Sequence, residues 1–148
     1  MSNKHRILVL VTLMLITALL GTTGCTSDNL TWVDDGESYS MKSVEKVLDT
    51  ADISAQSARS AADATELRHT ALTALRKKGG SAAEAADLLT ATFPPETRAV
   101  PVYVEAASLN GMPVLVVVEA TGPKTGALTM KRLWVLGEDG SVILSRSR

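Results

Sequence analysis

The chain predicts an α+β fold: an N-terminal Ala-rich helical layer packed on a C-terminal four-stranded antiparallel meander, in one small domain over residues 41–148. Three observations carry the prediction. Apolar residues recur at three- and four-residue steps between Met41 and Lys78, the period of a helix face. After Phe93-Pro94-Pro95 the period changes to two, the signature of a half-buried strand. All of the helical pattern precedes all of the strand pattern, the order expected of an α+β chain.

The N-terminus has a different character. Lys4 and Arg6 precede Ile7 to Leu20, ILVLVTLMLITALL, fourteen residues without a charge. Gly21, Thr22, Thr23 and Gly24 are small, and Cys25, the only cysteine, follows them. Basic, apolar and small segments in that order form a secretory signal. The apolar run also approaches the length of a membrane span, for which about 20 residues are usual. Both readings keep the basic flank inside and export the rest. A buried core helix is the lesser alternative, because the run has no polar face to offer water.

The segment resembles the bacterial lipoprotein signal, or lipobox, in which small residues precede a cysteine. Gly24 and Cys25 match its two central positions; Thr22 stands where that pattern usually has Leu. The resemblance implies cleavage before Cys25, acylation of its thiol and amino group by palmitate-type chains, and a lipid-anchored, extracytoplasmic place in a bacterial cell envelope. In that family an Asp after the cysteine favours inner-membrane retention; Thr26 stands here, which leaves the outer membrane open in a cell with two membranes. A single Cys makes no intramolecular disulfide, and a lone thiol in an exported chain needs a reason. Acylation supplies one, since two or more chains anchor stably where one does not. The resemblance thus implies that residues 1–24 are a leader, removed or kept as an uncleaved anchor, and that Cys25 is the lipidation residue.

Residues 25–40 read as the lipidated cysteine and a polar tether, because TSDNLTWVDDGESYS is rich in turn formers and lacks periodicity. Its acidic cluster Asp34, Asp35, Glu37 lacks the spaced ligands and closing Glu of a calcium loop. Met41, Val44, Leu48, Ala51, Ala55, Ala58 and Ala62, with Leu72 and Leu75 further on, mark the helical stripe. Alanine favours the helix but buries little, which suits close packing. Asp49–Ser54 leaves open whether this is one helix or two. Lys77-Lys78-Gly79 ends it. Ser81-Ala-Ala-Glu84 fits a capping box with Ser81 as N-cap, and Phe93-Pro94-Pro95 stops the helix so begun.

Strands are expected over residues 100–107, 114–121, 128–136 and 141–145. Asn110-Gly111 between the first two is a strong hairpin signal. The second strand is apolar on both faces, as a central strand is. On the third, Leu128, Met130, Arg132, Trp134 and Leu136 share the face expected to pack on the helices.

Two of the fifteen basic residues lie in the leader, so thirteen stand against sixteen acidic ones afterwards, a net of −3. That argues against a nucleic-acid partner. His69 is the one histidine beyond the leader; alone on an Ala-rich helix it reads as a packing or surface residue. No cluster offers three zinc ligands, no Gly-x-x-x-x-Gly-Lys loop cradles phosphate, and an acylated Cys25 makes no Cys–His pair. Glu105 and Glu119 fall on opposite faces of the expected hairpin, so they do not act as a pair and read as polar positions on partly solvated strands. No catalytic residue, metal or cofactor is expected. The expectation is a membrane-tethered binding or assembly module with an envelope protein as partner, or a structural lipoprotein without a specific ligand; an enzyme is the remote alternative. The first meander edge carries Pro101, which discourages pairing. The last strand, at Val142, Ile143 and Leu144, is the candidate docking edge, unless Arg146 and Arg148 guard it.

Overall fold

A computed structural model describes residues 29–148. Cys25 and the segment expected to be a leader lie outside the described residues. Among the described residues, no helix is long and apolar enough to cross a membrane.

The helical region breaks where polar side chains compete with the helix. Ser40 caps α1 (Met41–Val44), accepting from the Ser43 N–H while Ser43 Oγ accepts from the Ser40 N–H. α2 (Lys46–Thr50) ends at Ala51, whose backbone is extended. Asp52 then accepts from both the N–H and the hydroxyl of Ser54, a local bond that offers the backbone an alternative to helix. α3 (Ser54–Ser57) and a 3-10 turn (Ala61–Asp63) follow, and α4 (Ala64–Lys77) is the first long helix. α5 (Gly80–Thr92) starts immediately after it. Its N-cap is Gly79 rather than the expected Ser81. Gly79 and Gly80 have φ of 77° and 52°, so the chain turns early and Ser81 falls inside the first helical turn, where its hydroxyl donates to Asp34.

β3 (Val100–Leu109), β4 (Met112–Thr121), β5 (Met130–Gly137) and β6 (Val142–Ser147) pair antiparallel in sequence order. Asn110 and Gly111, with φ of 50° and 83°, close the first hairpin. The sheet, however, is not the expected four-stranded antiparallel meander. β1 (Thr31–Val33) and β2 (Ser38–Tyr39) pair parallel with β3, giving a mixed six-stranded sheet in the order β1-β3-β4-β5-β6, with β2 also on β3. Part of the expected tether therefore belongs to the sheet. An exposed β3 edge would leave a row of unpaired backbone groups. Ser108 N–H instead donates to Glu37 O and Asn110 N–H to Tyr39 O, each at 2.9 Å.

The single expected helical layer is also corrected, because helices cover both faces of the sheet. On one face Val116, Val118, Leu133 and Val135 meet Val44 and Leu48 of α1 and α2. On the other, Leu115, Val117 and Leu136 meet Leu72 and Leu75 of α4 and Ala86 and Leu89 of α5. A sheet covered twice buries both sides of its central strands. On β5, Trp134 and Leu136 face α4 and α5 and Met130 is exposed, while Leu128 lies ahead of the strand and joins the opposite core. A bulge between Pro101 and Tyr103 leaves Val102 without an opposite residue and brings Glu119 opposite Pro101.

Candidate functional site

Glu119 on β4 and Arg68 on α4 are 1 % and 4 % exposed. The sequence reading of Glu119 as a partly solvated strand position is therefore incorrect. Arg68 Nη1 donates to Glu119 Oε1 and to the Ala99 carbonyl, the latter at 3.1 Å. The Trp134 indole N–H donates to Glu119 Oε2 at 2.8 Å. The guanidinium carbon lies 5.2 Å from the centroid of Phe93, within cation–π range, and Phe93 packs tilted on Trp134 with centroids 5.1 Å apart. A buried ion pair is tolerated only when further hydrogen bonds satisfy its remaining atoms. Both oxygens of Glu119 are so satisfied. Arg68 Nη2 is not: it is buried with no partner. A buried donor without an acceptor costs about 1–3 kcal/mol, so this nitrogen marks a place for one.

A cavity of about 620 Å³ opens beside the pair, and Arg68 is part of its wall. Glu66, His69, Leu72 and Arg76 line it at three- and four-residue steps, which places them on one face of α4, and Ala62 of the preceding 3-10 turn extends the lining. Phe93, Pro94 and Pro95 form the facing side; the prolines that stop α5 thus also shape the cavity. Arg76 is already engaged, donating from Nε to Asp87 at 2.8 Å and from Nη2 to Thr90 at 3.2 Å. The volume lies within the range of ligand pockets, about 300–1,000 Å³. Another cavity of about 620 Å³, bounded by Trp32, Leu88, Pro113 and Glu138, has no unpartnered buried side-chain nitrogen or oxygen on its wall among the described residues.

The other strand carboxylate, Glu105, is also 1 % exposed, on the opposite face of the sheet. Tyr39 donates to it at 3.0 and 3.1 Å and Tyr103 at 2.9 Å. Burial pushes the Glu105 carboxyl up from its ordinary value, against the downward pull of the two phenols. Burial, and then the Glu105 bond and charge, push both phenols upward in turn. This cluster ties β2 to β3 and leaves no free acceptor aimed at a ligand.

The residues singled out from sequence do not converge. Cys25 lies outside the described residues. His69 is exposed on the cavity wall. On β6, Val142 and Ile143 are 51 % and 38 % exposed, but Leu144 is buried opposite Val135. Leu144 is thus a core residue rather than part of a docking strip. Ile143 has no opposite residue, because the register shifts there. Such a bulge, with Arg146 and Arg148 paired to Glu45 and Asp49, is a device that discourages edge pairing. Among the described residues no group of three His, Cys, Asp or Glu side chains is placed to hold a metal ion. The sequence reading missed Arg68 altogether; its one signal is a charge beside the apolar positions Leu72 and Leu75 of the same helix.

No family model, curated protein or solved structure matches this chain.

Proposed function

We propose that the chain is a lipid-anchored binding or assembly module of a bacterial cell envelope, held to the membrane through Cys25 and presenting its folded domain outside the cytoplasm. The leader pattern supports the anchor. The observation that carries the binding role is the cavity beside Arg68, where a buried guanidinium nitrogen lacks an acceptor. In this reading α4 and the Phe93–Pro95 turn receive the partner, while the sheet and its two helical layers hold them in place.

Two measurements test the reading. Labelling of cells with a fatty-acid analogue should mark the wild-type chain and not Cys25→Ser; equal labelling of both refutes lipidation at this residue. Crosslinking in intact cells from a photoreactive group at His69 should yield one dominant product. A diffuse smear there would favour a structural lipoprotein with no specific ligand.

A further inference from the structure

We infer that the cavity beside Arg68 takes a basic peptide segment of the partner, with a neutral carbonyl at Arg68 Nη2 and a cationic side chain at Asp63 and Glu66. The inference rests on the binding-module reading but not on the lipid anchor. Three features of the cavity choose this chemistry.

The first is the donor. Arg68 Nη2 needs an acceptor, yet the charge of the guanidinium is already matched by Glu119. A second carboxylate would be an uncompensated charge in a partly dry site, whereas an amide carbonyl satisfies the N–H groups without adding charge. The second is the charge of the rim. Arg76 is matched by Asp87, but Asp63 and Glu66 have no ion-pair partner among the described residues. The lining itself is balanced, Asp63 and Glu66 against Arg68 and Arg76; because Glu119 and Asp87 neutralise the two arginines, the carboxylates of Asp63 and Glu66 set the character of the rim and favour a cationic ligand over an anionic one. The third is the apolar wall. Leu72, Phe93, Pro94 and Pro95 offer nothing to a strongly hydrated molecule but fit an aliphatic side chain. Carbonyl, aliphatic body and cation within one short span are the parts of a peptide that carries Lys or Arg beside an apolar residue.

The test uses the full-length chain in detergent micelles, labelled with nitrogen-15, and three probes: acetyl-Leu-Leu-Lys-amide, acetyl-Leu-Leu-Glu-amide and lysine amide. The lysine tripeptide should give saturable shifts at the backbone signals of Glu66, His69 and Thr90. The glutamate tripeptide and lysine amide should bind at least tenfold more weakly. Glu66→Lys, an exposed change away from the ion pair, should reverse the preference between the tripeptides; Asp63→Asn with Glu66→Gln should abolish it. Each variant is first required to match the wild-type melting midpoint, and the neutral double variant serves if the charge reversal does not. Equal affinity for both tripeptides, tighter binding of the glutamate tripeptide, or shifts confined to other surfaces would overturn the proposal. If lysine amide binds as tightly as the lysine tripeptide, the ligand is a small amine and the peptide assignment is wrong. None of these outcomes depends on whether Cys25 is acylated, so failure of the anchor and failure of the peptide site are separately visible.

Discussion

Arg68 and Glu119 make each other's burial tolerable, so they should fail together. Breaking one side of a buried pair costs about 3–5 kcal/mol. Arg68→Met and Glu119→Leu are each expected to destabilise the domain by that order in urea titrations. The double variant should lose clearly less than the two losses combined, because it leaves no unpaired charge; simple additivity would show that the pair is uncoupled. Glu105 gives a pH-dependent counterpart. Its folded carboxyl holds its proton above the ordinary value of 4.5, chiefly because it is buried. Between that value and the raised one the native state binds more protons than the unfolded chain, so stability falls as pH rises through the window and is level above it. Glu105→Gln keeps an acceptor for Tyr39 and Tyr103 but removes the charge. Its stability relative to wild type should therefore improve from about pH 4 to about pH 7; a decline would show that the phenol bonds outweigh burial. Both carboxylates stand out in the sequence as interruptions of apolar strands, and their opposite faces follow from the Asn110-Gly111 turn. Their partners do not: Tyr39 and Arg68 are distant in sequence, and no periodicity brings them to the sheet.

At the scale of elements, legibility follows length. The long strands and the two long helices carry enough turns of their own period to be read. β1 and β2 have three and two residues, too few for an alternation to register, and they pair with a strand encoded some seventy residues later. Thr31-Trp32-Val33 are good strand formers, but their polar flanks present them as tether. The α4–α5 corner shows a different failure. Ser81-Ala-Ala-Glu84 has the letters of a capping box, yet two positive-φ glycines start the helix ahead of it. Ser81→Ala therefore removes no cap, only the exposed hydrogen bond to Asp34, and is expected to cost less than about 1 kcal/mol. Gly79 combines φ 77° with ψ −178°, a region almost reserved for glycine. A Cβ there meets nothing within 4 Å, so Gly79→Val tests backbone strain alone and should cost about 1–3 kcal/mol. Thermal midpoints of the two variants check this, and a larger loss for Ser81→Ala would restore the cap to Ser81.

For the whole molecule, the α+β class is legible because helix and strand patterns are segregated along the chain. The layering is not, because short helices such as α1 and α2 give no sign of which sheet face they cover. The structure also sets where the membrane must lie if Cys25 is acylated as proposed. Leu30 is already buried in the core, so only residues 26–29 link it to Cys25, and the five Cα–Cα steps from Cys25 to Leu30 reach at most about 18 Å. β1 runs parallel to β3, with Thr31 opposite Tyr103, so Leu30 lies toward the end of the sheet where β3 starts and β4 finishes. Exposed Arg98 and Lys124 lie at that end, just before β3 and just after β4. Asp35, Glu37, Glu138 and Asp139 lie toward the opposite end, near the Asn110-Gly111 turn. Charge does not discriminate the ends, since exposed Glu96 accompanies Arg98 at the first and exposed Lys46 adjoins Glu37 at the second; tether length alone sets the orientation. The ten-residue β3 is about 33 Å long, nearly twice the reach of the tether, so the two ends are distinguishable. With Cys25 acylated, Thr125→Cys and Asn110→Cys each introduce one reactive thiol for a fluorophore, in full-length protein reconstituted into anionic vesicles. A quencher on the lipid headgroups should dim the label at residue 125 and spare the label at residue 110. Equal quenching would mean the domain lies along the membrane, and the reverse pattern would mean that the chain from Cys25 does not enter the fold at this end.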